Sequence, residues 1–139
     1  MSPKTFVDTN ILVYAHDEGA GERHRAARAL VERLWDDRSG VISTQVLQEL
    51  VVNVRKKAAR PVTTAEAAQL VRDYLAWEVV INDGAALLDA LELEERFQLS
   101  FWDALIVQSA IASGARLLCT EDLSHGQRFR GVEVVDPFR

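Results

Sequence analysis

Short apolar runs alternate with stretches of helical periodicity along this chain. Lys4-Thr-Phe-Val7 is apolar and stops at Asp8-Thr9-Asn10-Ile11, which predicts a buried strand followed by a loop or turn. Residues 15–22 hold two glycines and read as loop. From Glu22 to about Asp37, Ala27, Leu30, Val31 and Leu34 recur at three- and four-residue spacing, with arginines on the other face. That is the pattern of an amphipathic helix, and Ser39-Gly40 is expected to end it. Val41-Ile-Ser43 predicts a second strand, and Ser43 or Thr44 can cap a helix over roughly 44–59. Val46, Leu47, Leu50, Val51 and Val54 form its core stripe, and Gln45, Glu49 and Asn53 form a polar stripe beside it at i, i+4 and i+8. Arg60-Pro61 breaks that helix. Thr63-Thr64 caps another over about 64–76, Trp77–Ile81 is a strand, and Asn82-Asp83-Gly84 turns into a helix over about 84–97.

Ser100-Phe-Trp-Asp103 opens a further helix that runs to about Ser113, where Gly114 terminates it. Between 101 and 112 only Asp103, Gln108 and Ser109 are polar, so this helix is expected to be buried nearly all round. Arg116–Cys119 is a strand that ends at Thr120-Glu121-Asp122, and Val132–Val135 is a final strand. Short apolar strands alternating with amphipathic helices predict an α/β fold, with a mostly parallel sheet covered by helices on both faces. No repeat, low-complexity tract or linker interrupts the pattern, so residues 1–139 read as a single domain.

Composition narrows the class. At 48% apolar residues, 139 residues supply one ordinary core. A single cysteine, Cys119, excludes an intramolecular disulfide and with it a stapled secreted scaffold. The start of the chain lacks an apolar leader core, and no run approaches the roughly 20 apolar residues of a membrane span. A cytoplasmic protein without a membrane partner is expected. The net charge of −5 is unevenly spread. Residues 1–60 carry 10 Lys/Arg against 8 Asp/Glu, and residues 61–139 carry 6 against 13. Without positions, an acidic chain argues against nucleic-acid binding, because phosphate contacts want Lys and Arg.

The positions of the acids change that picture. Asp8 follows the first strand, Glu121 and Asp122 follow the fourth, Glu49 sits in the second turn of the helix after the second strand, and Asp103 opens the most apolar helix. In a parallel sheet, strand ends and helix starts gather at one edge, so these carboxylates converge. Converging carboxylates repel, and a cation or protons must neutralise them. Oxygen ligands without His or Cys suit Mg²⁺ or Mn²⁺, and Mg²⁺ bridges to phosphate in phosphodiester chemistry. Without these five acids, 16 acidic residues remain against 16 basic ones. The negative excess is then the site itself, which removes the charge objection to a nucleic-acid substrate.

An N-terminal strand ending in Asp8-Thr9-Asn10, a helical Glu49, the Trp102-Asp103-Ala104 helix start and Thr120-Glu121-Asp122 resemble, in order and over essentially the whole chain, a PIN domain. The likeness is closest to the VapC-type toxins of prokaryotic toxin–antitoxin pairs. The resemblance implies a PIN-like α/β/α sandwich with an about five-stranded sheet and a Mg²⁺- or Mn²⁺-dependent endoribonuclease. It implies Asp8, Glu49, Asp103 and Asp122 as catalytic acids. Asp8, Asp103 and Asp122 would hold the metal, Glu49 would ligate through water or orient the attacking water, and Glu121 would share or replace the part of Asp122. Thr9 and Ser100 match small hydroxyl residues near the metal. The resemblance also implies an RNA substrate, a small antitoxin protein as partner and a homodimer.

Plainer readings stand beside these. Ser100-x-x-Asp103 resembles a capping box, Glu49 alone reads as a solvated helix acid, Asp8 starts a turn and Asp122 caps one. Arg55, Lys56 and Lys57, with Arg60, are the densest basic cluster. They form either a helix end favoured by its dipole or a contact to the RNA backbone. Cys119 reads as a buried strand thiol, and His16, His24 and His125 show no metal-ligand spacing, although His125 follows the fourth acid closely enough to approach a substrate. Trp35, Trp77 and Trp102 read as core or interface residues rather than stacking platforms. Two other functions compete. An Asp-based phosphoacceptor or phosphatase lacks its expected second Asp after Asp8 and a lysine late in the chain. A catalytically silent interaction module would keep the same acids for fold or binding.

Overall fold

The computed structural model describes residues 2–57 and 62–139, with Lys57 described by its backbone only. The break expected at Arg60-Pro61 and the Arg60 member of the basic cluster lie outside the described residues. Among the described residues, strands β1 (Thr5–Val7), β2 (Gly40–Ser43), β3 (Glu78–Val80), β4 (Leu117–Cys119), β5 (Arg128–Phe129) and β6 (Val132–Val135) form one sheet. Helices α1 (Thr9–Ala15), α2 (Glu22–Asp37), α3 (Thr44–Lys57), α4 (Thr64–Tyr74), α5 (Gly84–Phe97) and α6 (Phe101–Ala112) complete an α/β/α arrangement. The strand order is β3-β2-β1-β4-β6-β5. All pairs are parallel except β5 against β6, whose register pairs Phe129 with Val132. The two-residue β5 carries no periodicity of its own, so the hydrophobic pattern does not foretell it.

The central strands are buried on both faces, as a helix-covered parallel sheet requires. Phe6 lies between Val41 of β2 and Leu118 of β4, and all three are essentially inaccessible. Each such side chain contributes about 1.5–3 kcal/mol when fully buried. The core stripe of α3 holds with one change: Val46, Leu47, Leu50 and Val54 are buried while Val51 is half-buried. No helix among the described residues is long and apolar enough to cross a membrane.

Three local expectations are corrected. The loop or turn expected after β1 is a helix. Asp8 is its N-cap, with Oδ1 accepting the Thr9 N–H at 2.7 Å, so the chain passes from strand to helix through one residue. Gly40 does not end α2. Arg38, in the left-handed region at φ 54°, does so, and Gly40 already belongs to β2. Gly40 is required for another reason: a Cβ there would lie 2.5 Å from the Trp77 ring. The apolar helix α6 is buried from Ala104 to Ala110, but its first turn leaves the core and Trp102 is 62% exposed.

The order of the strands fixes where a site can lie. The chain builds outward from β1 through β2 to β3, then returns to place β4 on the other side of β1. Ligands of such sheets bind beyond the carboxyl ends of the strands at this switch point. Here those ends are Asp8, after β1, and Thr120-Glu121-Asp122, after β4.

Candidate functional site

A cleft of about 580 Å³ opens at that switch point. Asp8 from the β1–α1 junction, Glu49 from α3, Asp103 from α6, and Glu121 and Asp122 after β4 all line it, and Asp17 joins them. Among the described residues, no Lys or Arg is part of this lining. The polar stripe of α3 faces it as well, with Gln45 one turn before Glu49 and Asn53 one turn after. Topology therefore brings together the acids that the sequence scatters over 115 positions, from 8 to 122.

Hydrogen bonds tie the acids to one another through neutral neighbours. Asp8 is 5% exposed, and its Oδ2 accepts the Thr120 hydroxyl at 2.8 Å. The same Thr120 oxygen accepts the Asp122 N–H at 3.1 Å and the Asn10 amide at 3.3 Å. Asn10 Nδ2 also donates to Asp122 Oδ2 at 2.9 Å. Glu49 Oε1 accepts the Thr9 hydroxyl at 2.7 Å, and the Asp103 N–H donates to Ser100 Oγ at 3.1 Å. Thr120, fully buried, is thus the bridge between the first and fourth acids, and Asn10 braces the fourth. Both stand in motifs quoted from the sequence, but neither was given a role there. The signal available was position alone: Thr120 two residues before Asp122, and Asn10 two residues after Asp8.

Electrostatics show the cost of this convergence. Burial pushes the Asp8 carboxyl up to about 7, against the lowering effect of its bonds to Thr120 and Thr9, and Asp122 and Glu49 push it further. The Asp103 carboxyl is raised too, chiefly by burial, again with Asp122 and Glu49 adding to the effect. Glu121 differs from its neighbours. Its Oε1 accepts the Tyr14 hydroxyl at 2.7 Å and its Oε2 pairs with Arg23. Arg23 in turn lies over the Phe138 ring at 4.7 Å.

Other sequence candidates lie elsewhere. Ser100 caps α6, and Arg55 and Lys56 are exposed near the end of α3; none of the three lines the cleft. The side chain of Lys57 lies outside the described residues. His125 Nδ1 accepts the Asp136 N–H at 3.1 Å and is not part of the lining. Cys119 is buried, with its thiol pushed up to about 12 by burial. Trp77 is buried, as expected. Trp102 is not in the core: it is exposed and lines the cleft beside Asp103.

Oxygen donors alone line the cleft's acidic wall, which is the chemistry of a hard divalent cation. Asn10 Oδ1 is buried there without a hydrogen-bond partner. Among the described residues, no three Asp, Glu, His or Cys side chains are drawn close enough to grip a metal ion directly as they stand. Mg²⁺ keeps several waters and needs only one or two carboxylates, so the donor set fits a largely hydrated cation better than a closed cage.

The family profile described as PIN domain matches residues 5–128. No curated protein matches the chain by sequence. Among solved structures, a toxin–antitoxin complex from Klebsiella pneumoniae superposes with a TM-score of 0.71 at 19% identity, covering 96% of this chain and 98% of that one. VapC20 of Mycobacterium tuberculosis, a sarcin-ricin loop cleaving toxin, gives 0.64 at 20% identity over 83% and 87%. DNA-bound VapBC from Salmonella typhimurium gives 0.66 at 20% identity over 98% and 99%.

Proposed function

Because the chain belongs to the PIN domain family, we propose that it is a divalent-metal-dependent endoribonuclease, the toxin of a toxin–antitoxin pair. One observation carries this reading: Asp8, Glu49, Asp103 and Asp122, from four separate segments, line a single cleft at the switch point of the sheet. The toxins among the superposed structures support the toxin assignment.

Asp8, Asp103 and Asp122 are the residues that would hold Mg²⁺ or Mn²⁺. Bound there, the cation would supply positive charge against the scissile phosphate and favour ionisation of the attacking water. Glu49, with Oε1 engaged by Thr9, keeps Oε2 to orient that water and accept its proton. Thr120 and Asn10 hold Asp122 against Asp8. Glu121, with both oxygens engaged by Tyr14 and Arg23, supports the wall, and Asp122 acts as the fourth acid. Thr9 sets the position of Glu49, and Ser100 sets the start of α6. Arg55 and Lys56, which do not line the cleft, and Lys57 are left as backbone contacts for RNA. The partners of this reading are an RNA, a small antitoxin protein and a second copy of the chain. The exposed Leu87, Leu88 and Leu91 of α5 support a protein contact there.

The test is cleavage of total cellular RNA by the partner-free protein with Mg²⁺, with Mn²⁺ and with EDTA, beside Asp103→Asn purified identically. Metal-dependent cutting that the variant lacks is expected. Equal cutting by both proteins would identify a contaminant and refute the assignment of Asp103.

A further inference from the structure

Trp102 stands out in the wall of the cleft. The residue is 62% exposed, although α6 is buried without interruption from Ala104 to Ala110. It sits in the turn that carries Asp103, next to the acids, and Val13 and Ile106 are the apolar residues of the same lining. Gln45, 5% exposed, meets the same turn: its Nε2 reaches the Trp102 carbonyl only at 3.5 Å, and its Oε1 has no partner. Exposing so large an apolar ring and leaving a buried amide half-satisfied both lower stability. A ligand with a flat apolar face and a polar edge relieves both.

The charge of the cleft says why such a contact is needed. No Lys or Arg among the described residues lines it, and six acids do. Side-chain attraction for phosphate, the usual source of affinity for nucleic acids, is missing from this lining, and only the cation of the proposed function would supply it. A nucleobase carries no charge, and stacking on an aromatic side chain is insensitive to the acids around it. Resting on the nuclease reading above, we propose that Trp102 is the stacking platform for one unpaired nucleotide next to the scissile phosphate, with the Gln45 amide meeting the edge of that base. The substrate class is then an RNA segment whose bases are unpaired, because a base inside a duplex offers no open face.

The experiment follows Trp fluorescence of the metal-free protein during titration with each of the four nucleosides, and with short single-stranded oligoadenylate and oligocytidylate. Trp102→Leu and Trp102→Phe are compared with wild type, and a blunt RNA duplex is the paired control. Nucleosides lack phosphate, so this arm needs neither metal nor cleavage. Quenching that Trp102→Leu loses, Trp102→Phe partly keeps and the duplex does not elicit is the expected result. In the metal-loaded enzyme, Trp102→Leu is expected to raise KM for single-stranded RNA by roughly 5- to 150-fold, the range of single base–aromatic contacts, with kcat nearly unchanged. That ratio is expected to stay the same from low to moderate salt, because no phosphate contact is removed. Wild type that cuts RNA while showing no Trp102-dependent quenching, and an unchanged KM in Trp102→Leu, would overturn the stacking platform and leave the nuclease intact. Quenching without any cleavage would support the platform and overturn the proposed reaction. A Trp102→Leu variant that changes oligomeric state in sedimentation, with no nucleoside signal in wild type, would assign Trp102 to a protein contact and overturn the proposal.

Discussion

Asp8→Asn is expected to make the metal-free protein more stable as pH rises, relative to wild type. The Asp8 carboxyl ionises near 7 in the folded chain because it is buried, against an ordinary value of 3.8. A folded value raised above the unfolded one means that the native state holds a proton the unfolded state has released. Stability from this group is therefore full below about pH 4 and is lost as pH climbs through about 7. Between pH 5 and 7 the loss amounts to two pH units at about 1.4 kcal/mol each, or about 2–3 kcal/mol. Asn cannot ionise, so the variant lacks this slope. Its Oδ1 can still accept the Thr9 N–H, but its amide meets a Thr120 oxygen that already accepts from Asn10 and Asp122. That lost bond costs about 1 kcal/mol at every pH. Asp103, also raised, slopes the same way in both proteins and drops out of the difference. Urea melts in EDTA at pH 5, 6, 7 and 8 measure the quantity. The stability of Asp8→Asn minus that of wild type should rise by about 2–3 kcal/mol across the series. Parallel curves would refute the claim that burial holds the Asp8 proton. Adding Mg²⁺ at ten times its Kd should return about 1.4 kcal/mol to wild type at pH 8, and far less to the variant.

Other perturbations test other parts. Asp103→Asn and Asp122→Asn should each lower RNA cleavage by at least about 100-fold with unchanged far-UV circular dichroism, the scale on which metal-site partners act; activity within a few-fold of wild type would remove that residue from the site. Thr120→Val deletes the hydroxyl that bridges Asp8 and Asp122. It should weaken metal binding about 10- to 100-fold by titration calorimetry and destabilise the fold by about 1–3 kcal/mol. Gly40→Ala drives a methyl group into the Trp77 ring and should cost about 1–3 kcal/mol in urea melts without changing cleavage per folded molecule, since Gly40 lies at the other end of its strand from the cleft.

Much of the fold was legible because its parallel strands are short, apolar and flanked by capped amphipathic helices. Thr63 and Glu66 form the capping box that places α4, and Asp83 caps α5. What escaped the pattern is what a one-dimensional period does not encode. Strand β5 is too short to show one. The turn read at Asp8–Ile11 was a helix, because an N-cap Asp and a turn-starting Asp look alike in sequence. Gly40 looked like a helix stop because the ring of Trp77 that it accommodates is 37 residues away in the chain. The convergence of the acids could be foreseen from the rule that strand ends share an edge, but their wiring could not. Thr120 and Asn10 matter through hydrogen bonds across more than 100 residues. The exposure of Trp102 was not legible, because a helix of nearly uniform apolarity gives no sign that its first turn leaves the core.

The structural and catalytic readings of the acids do not compete. Asp8 does cap α1, and Asp103 does belong to a capped first turn. Capping alone, however, does not explain the choice of Asp at position 8. Asn, Ser and Asp cap helices about equally well, and of these only Asp carries a charge whose burial destabilises the fold. A residue that served the helix alone would be better as Asn, since removing an unpaired buried charge relieves its desolvation. Among the described residues, Asp8 has no Lys or Arg partner in a hydrogen bond or ion pair, and two further carboxylates raise its pKa. The same charge becomes favourable only when a cation stands in the cleft. On the proposed function, the position whose charge burdens the metal-free fold is one that gains from metal. Stability measured with and without Mg²⁺ thus tests the proposed role of Asp8 before any RNA is added.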